Sequence, residues 1–119
     1  MPESNLVISA KQGAPKRFQI IQFKGILDEN TASAARSTLD QLVQGAVFSY
    51  LIFDLTELSY INSKGIGFLV SVHAHISKNN QKLVLVNPNE SVNDVLTLVG
   101  VNTIMNCFAS PEEAIQSLS

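Results

Sequence analysis

Short apolar runs bounded by polar turns alternate along this chain with longer stretches in which apolar residues return every three or four positions. The first pattern predicts buried strands, the second helices with one apolar face. Residues 6–10 and 17–23 read as strands. The turn formers of Lys11-Gln12-Gly13-Ala14-Pro15-Lys16 between them predict an antiparallel hairpin, and Gly25 ends the second strand. Asp28, Asn30 or Thr31 can cap a first helix carrying Ala35, Leu39, Leu42 and Val43 on one face, with Gly45 just past its end. The run Tyr50-Leu51-Ile52-Phe53 suits a strand covered on both sides. A polar turn follows, then a second helix that opens on Ser63 and turns Ile66, Leu69, Val70, His73 and Ile76 inward, with Asn79-Asn80-Gln81 closing it.

Residues 83–86 form a fourth buried strand. Pro88 and Asn89 start a third helix, with Val92, Val95, Leu96 and Val99 on its inner face and Gly100 as its stop. A short strand over 104–108 comes next. Ser110-Pro111-Glu112-Glu113 then supplies a serine cap, a proline at the first helical position and a glutamate three residues after the cap. The last helix packs Ala114, Ile115 and Leu118 inward. Strands alternating with helices predict an α/β fold: a mixed, largely parallel sheet of four to five strands covered by about four helices. A single domain over residues 1–119 is the expectation at this length.

Composition narrows the function. A net charge of −2 provides no basic field to hold nucleic acid or an anionic membrane surface. The apolar runs are too short to span a bilayer, and the N-terminus lacks a charged-then-apolar secretory pattern, so a cytoplasmic protein without membrane insertion is expected. The single cysteine, Cys107, cannot form an internal disulfide. In its apolar setting it reads as a small buried hydrophobe.

Catalytic chemistry has little to stand on. His73 and His75 are two apart on a helix and point in different directions, which rules against a shared metal site. His73 reads as buried and hydrogen-bonded, His75 as solvated. Gly65-Ile66-Gly67 lacks the third glycine of a dinucleotide fingerprint and the lysine–serine pair of a phosphate loop. No Gly-x-Ser-x-Gly elbow occurs. Asp28, Glu29, Asp54, Glu57, Glu90, Asp94, Glu112 and Glu113 are scattered and read mostly as caps or first-turn charges. No enzyme activity, cofactor or metal is expected.

Ser63 is the residue with two readings. A serine at a helix start can cap it through its hydroxyl, worth about 1 kcal/mol. A phosphoserine there would instead bring negative charge to the positive end of the helix dipole and to open N–H donors. The same helix has more apolar residues than one buried stripe needs. Phe68 and Val72, four apart, share a face offset from Leu69, His73 and Ile76. Either the helix is buried on two sides or this pair is exposed beside Ser63 as a partner site.

Several blocks carry a family resemblance. Leu51-Ile52-Phe53-Asp54-Leu55 followed by Ile61-Asn62-Ser63-Lys64-Gly65-Ile66-Gly67 looks like the strand and "DSSGLG" turn of the STAS domain, the fold of bacterial anti-sigma factor antagonists. Gly25-Ile26-Leu27-Asp28 resembles the family's "GELD". Lys82-Leu83-Val84-Leu85-Val86-Asn87-Pro88 and Val95-Leu96-Thr97-Leu98-Val99-Gly100-Val101 resemble its "LVLVNP" and "VLELTGL" blocks, in family order. The resemblance implies a partner-switching regulator. The unphosphorylated protein would bind an anti-sigma factor that is also a serine kinase and so free the sigma factor. Phosphorylation at Ser63 would break the complex, and a PP2C-type phosphatase would restore it.

The partner surface so implied comprises Asp28, Asn30, Thr31, Asn62, Ser63, Lys64, Gly65, Phe68 and Val72. Three positions depart from the family. Asn62 stands where aspartate is usual and removes a charge beside the serine. Lys64 stands where serine or threonine is usual, and can pair with a phosphate or with an acidic group on a partner. Ile26 stands where glutamate is frequent. The alternative is a STAS adaptor that is not phosphorylated, a scaffold subunit of a signalling or transport complex.

Overall fold

Five strands lie side by side in their sequence order, β1-β2-β3-β4-β5, in a computed structural model that describes residues 5–119. They are β1 (Leu6–Lys11), β2 (Arg17–Leu27), β3 (Phe48–Ile61), β4 (Lys82–Val86) and β5 (Asn106–Phe108). The β1–β2 hairpin is antiparallel and every later pairing is parallel. Helices α1 (Ala32–Val43), α2 (Ser63–Ser77), α3 (Glu90–Val99) and α4 (Pro111–Leu118) fill the crossovers and the C-terminus, with a 3₁₀ turn over Val101–Thr103. This is the mixed, mostly parallel α/β sheet expected from the alternation of patterns.

The alternation of β3 separates two cores. Leu51, Phe53 and Leu55 face α1, α2 and α3, whereas Ile52 faces α4. The first core is the larger and holds Phe23 against Phe53, with ring centroids 4.6 Å apart. The second gathers Phe18, Ile20, Ile52, Val84 and Val86 under Ala114 of α4. Burying this apolar area is the main force holding the layers together.

The sequence reading ends β2 and β3 too early. Both continue past Gly25 and Leu55, and β3 runs straight to the start of α2. Two of the three irregularities in the β2–β3 register explain why. Gln22 pairs with Asp54 but Lys24 with Glu57, and Gly25 pairs with Leu58 but Ile26 with Tyr60. Each step inserts one extra residue into β3, and each reverses which face the following side chains point to. Leu55, Leu58 and Ile61 therefore all point into the first core at a spacing of three. In sequence that spacing breaks the two-residue period and looks like a turn.

Gly25 sits at the second of these two irregularities with φ +120°. A Cβ there would lie 2.5 Å from the carbonyl oxygen of Asn5, so only glycine fits. Asp54, expected as a cap, is instead a buried strand residue whose Oδ1 accepts from the backbone N–H and the hydroxyl of Thr56 at 3.1 and 2.5 Å.

The boundaries of α3 and α4 follow their caps, whereas Thr31 stands at the start of α1 with no side-chain cap bond, its hydroxyl taken up by the Asp28 N–H and the Ile26 carbonyl. Asn89 accepts from the Val92 N–H, Gly100 closes α3 at φ +86°, and Ser110 accepts from the Glu113 N–H ahead of Pro111. Three readings are corrected. Val99 is 57% exposed rather than inward, because α3 buries Val92 and Leu96 and packs Val95 beside them, and its last turn lies beyond that contact. Ile104 lies outside β5 and is exposed, while Met105 takes the buried place. Cys107 is exposed on β5, an edge strand with no further strand beside it among the described residues; partial burial still pushes its thiol pKa up.

Candidate functional site

The C-terminal end of β3 delivers the chain into α2 beside the loop that joins β2 to α1. Leu27 and Ile61 are register partners at the end of the β2–β3 ladder, so these two connections leave the sheet together. In α/β sheets this carboxyl edge is where loops converge and sites form.

Asn62, not Ser63, caps α2. Its backbone is extended, and its Oδ1 accepts from the N–H groups of Lys64 and Gly65 at 3.1 and 3.2 Å. Ile66 donates its N–H to the Asn62 carbonyl. Of the four N–H groups in that first turn, only the one on Ser63 lacks a partner among the described residues. Ser63 is thus the first helical residue, exposed, with a hydroxyl that does no capping. The open donors expected for a phosphate are mostly taken by the asparagine.

The other end of the Asn62 amide reaches across to the neighbouring loop. Its Nδ2 donates to Glu29 Oε1 at 2.6 Å. An asparagine can accept at one end and donate at the other, which aspartate cannot. The loop holding Glu29 is itself rigidly tied. Thr31 Oγ1 accepts from the Asp28 N–H at 3.0 Å and donates to the Ile26 carbonyl at 2.8 Å, while Asp28 Oδ1 accepts from the Asn30 N–H at 2.8 Å. Asp28 and Thr31 are each only 7% exposed.

Two further features shape the surroundings. Gly65 is pressed against the end of β2: an added Cβ would collide with the Leu27 carbonyl and lie 2.6 Å from Ile61 Cγ1. A shallow groove then runs between α1 and α2, bordered by Ser33 and Arg36 on one side and by Ser63, Lys64, Gly67 and Ser71 on the other. Arg36 spans it, donating from Nη1 to Ser71 Oγ at 3.3 Å, and also lies 3.6 Å from Asp40.

The profile of the STAS domain family matches residues 10–114, nearly the whole chain. The chain belongs to the STAS domain family. An anti-sigma F factor antagonist from Paenibacillus polymyxa is 22% identical over 99 residues, covering 83% of this chain and 85% of that protein. Among solved structures, the unphosphorylated form of the anti-sigma factor antagonist SpoIIAA superposes with a TM-score of 0.76 at 20% identity, over 94% of this chain and 96% of that one. A sulfate transporter family protein from Wolinella succinogenes superposes with a TM-score of 0.75 at 16% identity, over 89% and 88%. At these identities the superpositions speak for the fold.

In this STAS domain the residues expected at a partner surface divide sharply. Asn30, Ser63 and Lys64 are exposed and Asn62 is half-buried, all around one turn. Asp28, Thr31 and Gly65 are buried and hold that turn in place. Phe68 and Val72 are 6% and 2% exposed, so the apolar patch considered beside Ser63 does not exist. Their burial has a simple cause. The Phe68 ring stacks on Phe53, 6.4 Å between centroids, and α1 closes over the other flank of α2, so the helix is buried on two sides.

His73 is also corrected: it is half-buried, and its Nδ1 is shielded from solvent with no hydrogen-bond partner among the described residues. His75 is exposed as expected. Glu29 was missed as a site residue because its bond to Asn62 joins positions 33 apart, which no local pattern reveals. Among the described residues no group of three histidine, cysteine or acidic side chains could hold a metal ion, and no helix is long and apolar enough to cross a membrane.

Proposed function

We propose that this STAS domain is a partner-switching regulator. Its unphosphorylated form binds an anti-sigma factor that is also a serine kinase, which releases the sigma factor. Transfer of the terminal phosphate of ATP to Ser63 Oγ ends binding, and a PP2C-type phosphatase removes that phosphate. The observation that carries this reading is the state of Ser63. Its hydroxyl is exposed on the first turn of α2 and relieved of capping by Asn62, so it can be modified without unfolding the helix start. A phosphate there adds roughly −1.5 to −2 charges to a surface that a partner meets as a neutral serine. The related antagonists named above support the same reading.

The partner surface on this reading is the exposed rim of the turn: Glu29, Asn30, Asn62, Ser63 and Lys64. Phe68 and Val72 have no part in it. A phosphorylation-independent adaptor is the second reading, favoured by the same Asn62, whose oxygen occupies two donors that an anion could use.

The test is phosphosite mapping of the protein purified from its native cytoplasm, together with capture of partners on the wild type and on Ser63→Asp. Phosphate on Ser63, and loss of a kinase-like partner with Ser63→Asp, are expected. An unmodified Ser63 with identical partners for both proteins would favour the adaptor.

A further inference from the structure

Two cations, Lys64 and Arg36, line the groove side of the turn at Ser63, and the acid tied to that turn is on the loop side. Lys64 follows Ser63 directly, and Arg36 lines the same groove from α1, where it now bonds Ser71. Glu29, bonded to Asn62, belongs to the β2–α1 loop. A dianion attached to Ser63 Oγ is therefore repelled from the loop and drawn into the groove.

We infer that the α1–α2 groove receives the phosphate monoester on Ser63, and that Arg36 is the residue that grips it. The inference rests on the proposed phosphorylation of Ser63 and names what that phosphate does next.

Three observations carry it. First, the backbone donors that would normally hold an anion at a helix start are occupied: the Lys64 and Gly65 N–H groups are bonded to Asn62 Oδ1, leaving the N–H of Ser63 alone. With one backbone donor left, a phosphate here needs side-chain donors as well. Second, Arg36 is available. Its present partners are a neutral hydroxyl at 3.3 Å and an exposed carboxylate at 3.6 Å in an i,i+4 pair, a class of contact that holds a guanidinium weakly. A guanidinium binds a phosphate through two parallel N–H bonds and prefers it to either.

Third, the path is clear. Gly67 lies one turn below Ser63 on the same side of α2, between Ser63 and Ser71, and a Cβ built there meets nothing within 4 Å. The guanidinium can leave Ser71 and Asp40 and move up over Gly67 to the phosphate. Phosphorylation then does more than add charge to a rim. It draws Arg36 away from Ser71, two turns further along α2, and ties α1 to α2 through the modified serine.

The test uses protein carrying phosphoserine at position 63, inserted during translation so that no kinase is required. The phosphate is titrated by ³¹P NMR in the wild type, Arg36→Gln, Lys64→Gln and Asp40→Asn. A phosphate monoester loses its second proton near pH 6 in water, and a neighbouring cation lowers that value. Gripped by Arg36, the wild-type phosphate should titrate about half a unit or more below the Arg36→Gln variant. Asp40→Asn, which frees the guanidinium, should lower it further. Identical titrations for wild type and Arg36→Gln, or a shift that responds only to Lys64→Gln, would overturn the assignment. These outcomes do not depend on whether the native protein is phosphorylated, which phosphosite mapping decides separately.

Discussion

One amide organises the turn at residue scale. Asn62 accepts two helix N–H groups with its oxygen and donates to Glu29 with its nitrogen, so a single side chain starts α2 and binds it to the β2–α1 loop. Replacing the aspartate usual in this family does not make the site electrically bare, because Glu29 brings a carboxylate to the same place. Asn62→Asp would keep the cap, since aspartate caps as well as asparagine. It would also set a second carboxylate where Glu29 Oε1 now lies 2.6 Å from Asn62 Nδ2. Two such charges repel by about 1–4 kcal/mol depending on screening. The folded state then raises the pKa of the pair. Stability should therefore be normal at about pH 3, where both are protonated, and fall as pH rises through the carboxylate range. Chemical denaturation of Asn62→Asp across pH should show this loss, and Glu29→Gln in the same chain should abolish it.

The element that matters most is α2, and its sequence invites a wrong reading of its surface. Its apolar residues exceed one stripe because the helix is wedged between the sheet and α1. Phe68 fills the space beside Phe23 and Phe53, at centroid distances of 6.3 and 6.4 Å. Phe68→Ala should accordingly lower stability by about 3–5 kcal/mol, as emptied aromatic sites do. A loss below 1 kcal/mol in a denaturant titration would mean the ring is not core. The N-terminal turn of the same helix has the opposite constraint. Gly65 meets the Leu27 carbonyl so closely that Gly65→Ala must push α2 off the end of β2, despite alanine's better helix propensity. A net destabilisation of about 1–3 kcal/mol is expected, with the Asn62–Glu29 contact loosened in amide chemical shifts.

At the scale of the whole molecule the two faces of the sheet are unequally covered. Three helices seal the first core, whereas the second depends on α4, eight residues long, and on the three-residue β5 at the sheet's edge. Fraying of α4 exposes only the smaller cluster around Ile52 and Val84. Native-state hydrogen exchange should therefore find the amides of β3 and β4 opening only with global unfolding. Those of β5 and α4 should exchange sooner through a local opening. Equal protection across all five strands would contradict this division. The turn at Ser63 lies in the well-covered part, at the joint end of β2 and β3, which holds Ser63 in a fixed place.

The chain alone determined the element order, the parallel α/β class and most caps, because local hydrophobic period and turn chemistry act over a few residues. Asn89, Gly100 and Ser110 do what their types and positions require. The sequence also directed attention to the turn at Ser63, through blocks shared with its family. Tertiary structure decided the rest. The run of β3 from Leu55 to Ile61 depends on extra residues relative to β2, a property of pairing rather than of either strand. Whether Phe68 and Val72 face water or core depends on what covers the far side of α2, and α1 does. That Asn62 rather than Ser63 caps the helix was a choice between two adjacent capping residues, and the same Asn62 side chain also bonds Glu29, 33 positions away in sequence. Local propensity could not see that contact, since it exists only once the two loops leave the sheet side by side.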